Sequence, residues 1–235
     1  MKNKVHLLFE QSGTFKKEFQ KLGYDAKDYD IRNDFNETDE VIDLFNEIEK
    51  AYCYRDSIFD NFKKGELVMA FFPCIRFEDQ IQMHFRGTAT QYKKYTEEQK
   101  LQNDMKLHKE LHDMYQYVTM LAIICIRGGG IRLVIENPYS TTHYLTKYWS
   151  IPAKIIDTNR RDMGDYYVKP TQYWFINCEP QNNLVADAIT INQYMTITKQ
   201  KLNGNTRSVS RSLIAPEYAE RFIKTYIVEE EKIKC

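Results

Sequence analysis

Short apolar segments alternate with amphipathic segments along the first thirty residues. KVHLLF (4–9) is an apolar run typical of a strand, and the turn after it leads into FKKEFQKLG, which has helical spacing of its apolar residues. We expect Thr14 to be the N-cap of this helix and Gly23 to end it. A second strand is predicted over YDAKDYDI (24–31). A strand, a helix and a strand in this space indicate a βαβ unit with parallel strands.

The same alternation continues to about residue 130. EVIDLF (40–45) predicts a third short strand or the start of a helix, and residues 46–62 have a helical pattern. LVMAFF (67–72) is apolar on both faces, which is typical of a central parallel strand. The longest helical pattern runs from about 91 to 126, and the glycines of RGGG (127–130) end it.

The second half of the chain is less regular. IRLVIENPY (131–139) predicts a buried strand. Two later segments are strand-like, KPTQYWFINCEP (169–180) and AITINQYMTIT (188–198), and the segment 201–211 is polar. Residues 215–228 predict a closing helix with Pro216 in its first turn. We therefore predict one α/β domain over residues 1–235, a doubly wound and mostly parallel sheet of the Rossmann-like type. Residues 140–211 would supply at most a small substrate-facing element. Ligands of such sheets bind at the carboxyl ends of the strands.

Charge and cysteine content exclude several classes of protein. The 33 Lys and Arg residues balance 33 Asp and Glu residues, so any binding to a polyanion must use a local patch. Five scattered cysteines without a CxxC pair favour neither a disulfide framework nor a zinc ribbon. The longest apolar run, VTMLAIICI (118–126), is too short to span a membrane, and the N-terminus does not resemble a signal peptide. We expect a cytoplasmic protein with no membrane partner.

One pair of histidines has the spacing of metal ligands. His108 and His112 in HKELH lie one helical turn apart, but Glu110 lies on a different face and the segment is not an H-E-x-x-H motif. The pattern favours an exposed helix flank, and we predict no metal site.

Three polar features follow predicted strands, and a doubly wound sheet would bring them to one edge. They are FEQSGTF after the first strand, Pro73-Cys74 after the fourth and Glu136-Asn137-Pro138 after the fifth. A thiol and a carboxyl group would then share a cleft. The simpler alternative is that Cys74 is a buried filler residue and that Asn-Pro only begins a turn.

The order of these motifs resembles that of the DNA (cytosine-5) methyltransferases, especially the short versions found in phages and prophages. LFEQSGTFKKEFQKLGYDAKDYDI is similar to their cofactor turn and second strand, AFFPC to their Pro-Cys motif and LVIENP to their Glu-Asn motif. NRRDMGDYYVKPTQYWF is similar to their arginine segment and Pro-Thr-aromatic strand, and RSLIAPEYAERFI to their C-terminal helix. The resemblance covers most of the chain and implies the class I methyltransferase fold.

The resemblance implies a catalytic set. Cys74 would attack C6 of cytosine as a thiolate, so its proton must be removed or its pKa lowered from about 8.5. Glu136 would hold a proton near N3 of the ring, and Asn137 would position Glu136 or the base. Arg160 or Arg161 would lie beside the target base. The residues alone do not decide between these two arginines.

The cofactor implied by the resemblance is S-adenosylmethionine. Asp30 would accept hydrogen bonds from its ribose hydroxyls, and Asp43 would read the adenine amino group. The residues expected around the cofactor turn and the Pro-Cys motif are Phe9, Gly13, Thr14, Phe15 and Pro73. The turn has one glycine and carries Glu10 and Gln11 where small residues are usual. A glutamate there could face the cationic amino-acid end of the cofactor.

The polar run after Cys74, residues 73–95, is similar to the loop that closes over the flipped base in this family. Arg76, Gln80, Gln82 and Arg86 are the expected substrate contacts. Larger family members carry a sizeable recognition domain that is absent here, so we expect a DNA substrate that is single-stranded or a flipped base, with a protein partner for targeting as one option. Two alternatives stay open: a catalytically inactive member acting as a nucleic-acid-binding or interaction protein, and a methyltransferase of free pyrimidine nucleotides.

Overall fold

The computed structural model describes residues 4–79, 81–186 and 213–229. Its strands are β1 (Lys4–Leu8), β2 (Asp25–Asp30), β3 (Glu40–Val41), β4 (Leu67–Phe71), β5 (Arg132–Pro138), β6 (Ile155–Asp157) and β7 (Thr171–Ile176). Its α-helices are α1 (Thr14–Lys21), α2 (Leu44–Tyr52), α3 (Ile81–Phe85), α4 (Glu97–Arg127), α5 (Tyr144–Tyr148) and α6 (Pro216–Phe222). Short 3₁₀ helices cover Ile58–Asn61, Thr90–Tyr92 and Arg160–Met163, and a π-helical turn, Ile223–Ile227, follows α6.

The strands form one mostly parallel sheet in the order β3-β2-β1-β4-β5-β7-β6. The first five strands of this order are parallel to one another, while β7 runs antiparallel to both β5 and β6. The prediction of an α/β, mostly parallel sheet is confirmed. Because β1, β4 and β5 are neighbours, the three polar features that follow them meet at one edge of the sheet.

Strand β4 shows why the sheet has a core on each face. Its residues alternate sides, as the two-residue period of a strand requires. Val68 and Ala70 pack in the core that includes α2 and α4, whereas Leu67 and Met69 pack in the core that includes α1 and α6. All four are buried, which explains why the sequence of this strand is apolar at every position.

Helix α1 does not begin as predicted. The N-cap is Gly13, whose φ of 64° lies in the left-handed region, and its helix has no side-chain cap at that position. Glu10 instead accepts hydrogen bonds from the backbone N–H groups of Phe15 and Lys16, at 2.8 and 3.3 Å. The prediction of Thr14 as the N-cap is wrong because a carboxylate upstream reaches over the first turn of the helix.

The helix predicted over 46–62 is divided. Helix α2 ends at Tyr52, and Tyr54 takes a left-handed conformation with φ of 57°. The N–H of Arg55 then bonds to the carbonyl of Lys50 at 2.8 Å, which closes the helix end. The chain continues into the 3₁₀ helix Ile58–Asn61.

The long helix was well marked in the sequence. Helix α4 has 31 residues, about 46 Å at 1.5 Å per residue, and Thr96 and Gln99 form a capping box at its start. Gly128 ends it, as the glycine run predicted. None of the described helices is long and apolar enough to cross a membrane. The predicted strand at 188–198 and the polar segment 201–211 lie outside the described residues.

The histidine pair on α4 forms an exposed flank, as predicted. His108 lies 3.4 Å from Asp104 on the same helix, and both side chains are largely in solvent. Across the ranges that the structure describes, no group of three or more His, Cys, Asp or Glu side chains could hold a metal ion.

Candidate active site

A cavity of about 320 Å³ opens at the carboxyl edge of the sheet. Four strand ends supply most of its lining. Phe9–Ser12 follow β1; Arg32, Asp34 and Phe35 follow β2; Phe71–Cys74 lie at the end of β4; Glu136 and Pro138 lie at the end of β5. The rest of the wall is formed by Lys169, Leu213 and Ile214. The structure therefore brings the thiol of Cys74 and the carboxyl group of Glu136 onto one cavity. This is the juxtaposition expected from neighbouring strand ends.

The thiol of Cys74 is half-buried and hydrogen-bonded. Its Sγ donates to Oε1 of Glu78 at 2.7 Å, and the carbonyl of Cys74 accepts from the N–H of Phe77 in the same turn at 2.8 Å. Burial raises the pKa of Cys74, and the hydrogen bond and charge of Glu78 raise it further, while Lys169 acts in the opposite direction. Cys74 is therefore a neutral thiol in the free protein.

Glu136 lines the cavity, and one of its carboxylate oxygens is buried without a hydrogen bond to any described residue. The residue is only 7% exposed, and its Oε1 has no hydrogen-bond partner among the described residues. The nearest cation is Arg160, whose Nη1 lies 4.0 Å from that oxygen. That oxygen is shielded from solvent and faces the Arg160 guanidinium across a gap wider than a hydrogen bond.

Arg160 is completely buried behind Glu136. Its Nη2 lies 2.5 Å from Oδ2 of Asp165, and its guanidinium stacks 4.6 Å from the ring centroid of Tyr218. Burial lowers the pKa of Arg160, but the electrostatic effects of Asp165, Tyr218, Tyr173 and Glu136 together outweigh it and the net shift is upward. Arg161 lies in the same 3₁₀ helix and is half-exposed. The structure thus places Arg160, of the two arginines, beside Glu136.

Asn137 joins the ends of β4 and β5. Its side-chain amide donates to the carbonyls of Phe72 and Glu136, at 2.7 and 2.9 Å, and it is fully buried. Phe72 directly precedes the Pro73-Cys74 turn. Asn137 does not line the cavity, so its contribution is to hold the loop that carries Cys74 against the strand that carries Glu136.

A buried histidine completes this support. Nε2 of His143 lies 3.2 Å from Oδ1 of Asn137, and Nδ1 lies 3.3 Å from Nε2 of Gln172. Because the Gln172 amide can only donate, Nδ1 accepts and Nε2–H donates to Asn137. Burial lowers the pKa of His143 to about 4, so the ring is neutral near pH 7.

Of the four residues expected from the turn after β1, Phe9 lines the cavity and Gly13, Thr14 and Phe15 do not. Phe9 lines the cavity with a left-handed backbone, φ 61°, and its ring lies 5.3 Å from that of Phe72. A bulky residue with this φ is uncommon and marks a constrained turn. The ring of Phe15 is buried, with its centroid 4.9 Å from that of Phe71.

Glu10 lines the cavity and also bonds to the first turn of α1. Burial raises the pKa of Glu10 to about 7, although the backbone N–H donors of Phe15 and Lys16 act to lower it. Behind it, the ammonium group of Lys16 lies 3.1 Å from carboxylate oxygens of both Asp28 and Asp39. The turn is thus held by internal charges rather than by glycines.

The two aspartates expected at the cofactor have local backbone partners. Asp30 is buried at the end of β2 and accepts from the N–H of Arg32 at 2.8 Å, and burial raises the pKa of Asp30. Asp43 is exposed and caps α2 by accepting from the N–H of Phe45 at 3.1 Å. Neither side chain lines the cavity, where Asp34 and Phe35 lie instead.

The polar segment after Cys74 is tied to neighbouring elements. Arg76 pairs with Glu110 of α4 at 2.5 Å and does not line the cavity. Gln82 lies half-buried in α3, and Arg86 is exposed. Gln80, the remaining expected substrate contact, lies outside the described residues.

Charged residues that were not predicted also line the site: Arg32 and Asp34 in the main cavity, and Glu78 and Lys169 beside Cys74. Glu78 hydrogen-bonds to Cys74, and Lys169 lies between the main cavity and a neighbouring one of about 320 Å³. That second cavity is lined by Glu78, Asp79, Pro138, Tyr139, Ser140, His143, Tyr167, Val168, Lys169 and Pro170. The one feature of the sequence that could have indicated this contact was the spacing of four residues between Cys74 and Glu78.

Comparison with known proteins adds no assignment to this geometry. No protein-family model matches the chain, and no curated protein matches its sequence significantly.

Proposed function

We propose that this protein is an S-adenosylmethionine-dependent methyltransferase that modifies C5 of cytosine in DNA through a covalent bond to Cys74. One observation carries the proposal: Cys74 and Glu136, on neighbouring strand ends, line one cavity with Arg160 directly behind the carboxyl group. A thiol, a carboxyl group and a buried cation are the groups that addition to a pyrimidine ring requires.

The sheet supports the proposal at the level of the fold. The order β3-β2-β1-β4-β5 is that of a doubly wound nucleotide-binding sheet. The reversed β7 between β5 and β6 agrees with the class I methyltransferase fold expected from the resemblance.

The cavity wall suits a cofactor that is both aromatic and cationic. The side chains after β1 and β2 combine the rings of Phe9 and Phe35 with the carboxyl groups of Glu10 and Asp34, and Asp34 pairs with Arg32 on the same wall. Aromatic rings can pack against adenine, and carboxylates attract a sulfonium or ammonium charge. When bound there, S-adenosylmethionine would supply the electrophilic methyl group.

The residues on the substrate side have separate tasks. Cys74 bonds to C6, which moves negative charge into the ring towards N3. Glu136 holds a proton at that position, since it lines the same cavity as Cys74. Arg160 keeps Glu136 in place and adds a fixed positive charge in a site that excludes water.

The test is methyl transfer by purified protein, with labelled S-adenosylmethionine and three acceptors: duplex DNA, single-stranded DNA and dCMP. We expect label in 5-methylcytosine of a DNA acceptor and at least a 10³-fold loss in Cys74→Ser, because a hydroxyl group is a far weaker nucleophile than a thiol at this pH. Cys178→Ser is the matched control, since that cysteine lies outside the cavity. Undiminished transfer by Cys74→Ser would contradict the proposed nucleophile.

A catalytically silent binding protein is the second candidate. It is favoured by the neutral, carboxylate-bonded state of the Cys74 thiol, which is unreactive until its proton leaves. Calorimetry separates the two candidates. Binding of S-adenosylmethionine supports the enzyme, and no binding at millimolar concentration supports the silent protein.

A further inference from the structure

Glu78 stands in direct contact with the atom that would react. Its Oε1 lies 2.7 Å from Sγ of Cys74, four residues earlier in the same turn. Glu78 is half-buried and lines the second cavity, which meets the main cavity at Pro138 and Lys169. The carboxylate therefore reaches the thiol from the substrate side of the site.

No other side chain in the described part of the chain hydrogen-bonds to this thiol. The buried ring of His143 is bonded at both nitrogens to Asn137 and Gln172, so it has no free nitrogen for the thiol. Lys169 lines the cavity but makes no hydrogen bond to the thiol in the described part of the chain, so it is not placed to take its proton. Glu78 is the group placed to accept one.

We propose that Glu78 is the general base that removes the proton of Cys74 during attack on the pyrimidine ring. This inference rests on the proposed function. The S–H proton passes to the Glu78 carboxylate, a sulfur electron pair forms the C6–S bond, and the C5=C6 π pair moves to C5. In methylation the C5 pair bonds to the methyl group, the pair of the broken S–CH3 bond stays with the departing cofactor sulfur, and the N3 proton returns to Glu136. Loss of the C5 proton to solvent then restores the C5=C6 bond. The C6–S pair returns to sulfur, which recovers its proton from Glu78.

Charge explains why the proton moves during attack and not before it. A thiolate formed beside Glu78 would be repelled by that carboxylate, and Lys169 opposes only part of this repulsion. When sulfur bonds to C6 it loses its basicity, and the proton then moves to the carboxylate. The resting thiol is correspondingly protected from alkylation and oxidation.

The test is Glu78→Gln, assayed in two ways whose results move in opposite directions. We expect methyl transfer to fall 10²- to 10⁴-fold, because the base is lost. We expect alkylation of Cys74 by iodoacetamide, followed by peptide mass spectrometry, to speed up about tenfold or more at pH 7.5 and to reach half-maximum at a lower pH. A defect in folding would not produce both results with an unchanged unfolding midpoint.

Two further variants complete the experiment. Glu78→Asp keeps the carboxylate and should restore part of the methyl transfer, whereas Glu49→Gln, on the exposed side of α2, should change neither assay. Full methyl transfer by Glu78→Gln would overturn the proposal, and so would an unchanged pH dependence of alkylation. If the wild-type protein methylates no acceptor, the proposed function fails. The alkylation profile then decides by itself whether Glu78 controls the thiol.

Discussion

At the scale of single residues, Glu10 shows how this chain builds the turn between β1 and α1 with one glycine. Glycine-rich turns leave the first N–H groups of a helix open to a phosphate. S-adenosylmethionine has no pyrophosphate, and here the Glu10 carboxylate occupies the N–H groups of Phe15 and Lys16. The start of α1 is thus satisfied from within the protein, and the cavity is left to ligands of other chemistry.

The buried position of Glu10 predicts a pH dependence of stability. Its pKa rises from 4.5 to about 7 on folding, so its stabilising contribution is complete below about pH 4.5 and is lost as the pH rises through 7. Glu10→Gln cannot ionise and should gain up to about 3 kcal/mol in unfolding free energy relative to wild type between pH 4.5 and 8. Urea unfolding across this range measures the difference.

The control for this prediction is Glu49→Gln, because Glu49 is exposed on α2. Its stability curve should run parallel to that of the wild type. A parallel curve for Glu10→Gln would show that the Glu10 carboxyl group titrates equally in the folded and unfolded chains, against the prediction.

At the scale of elements, the segment that follows Cys74 is tied to its neighbours at separate points, while its helix α3 is not buried. The five-residue helix α3 has no buried residue, and segments of this kind open locally at low cost. Phe77 anchors the segment from within, being buried beside Tyr144. Asp79 anchors it from the surface by accepting hydrogen bonds from the hydroxyl groups of Ser140 and Thr142.

Removal of the Asp79 anchor should loosen this segment without unfolding the protein. In Asp79→Ala we expect amide hydrogen exchange over residues 74–86 to accelerate about fivefold, which corresponds to about 1 kcal/mol. The double variant Ser140→Ala/Thr142→Val removes the same hydrogen bonds from the other side and should give the same result. Because these hydroxyl groups lower the pKa of Asp79, the anchor should also weaken on acidification. Unchanged exchange in both variants would refute this role.

At the scale of the whole molecule, stability depends on covering both faces of the sheet. Helix α6 closes one face, where Phe222 is fully buried and its ring lies 4.3 Å from that of Tyr173 in β7. This contact joins the last described helix to the antiparallel part of the sheet. The C-terminal helix is therefore part of the core and not an appendage.

Phe222→Ala should accordingly destabilise the entire fold. We expect a loss of about 3–5 kcal/mol in unfolding free energy, from lost burial and the cavity left behind. Leu184→Ala is the control, because Leu184 is 99% exposed and its loss should change stability by less than about 0.5 kcal/mol. Urea denaturation measures both variants, and equal midpoints would mean that α6 contributes little to the core.

Much of the fold could be predicted from local pattern. The strands β1, β2, β4 and β5 and the helices α1, α4 and α6 were all predicted because their apolar spacing is a local property. Two features of the helices were not predicted: the end of α2 and the cap of α1. The pattern over 46–62 did not reveal the left-handed Tyr54 that divides it, and the backbone N–H groups that cap α1 are reached by Glu10 across the turn.

The sequence by itself determined that Cys74 and Glu136 follow neighbouring strands, because apolar runs set where strands end and parallel order sets where those ends meet. Only the tertiary structure decided that Arg160 and not Arg161 lies beside Glu136, that Glu78 bonds to the thiol, and that Arg76 pairs with α4. The physical reason is that the direction and burial of a side chain depend on neighbours distant in sequence, and no periodicity along the chain records them.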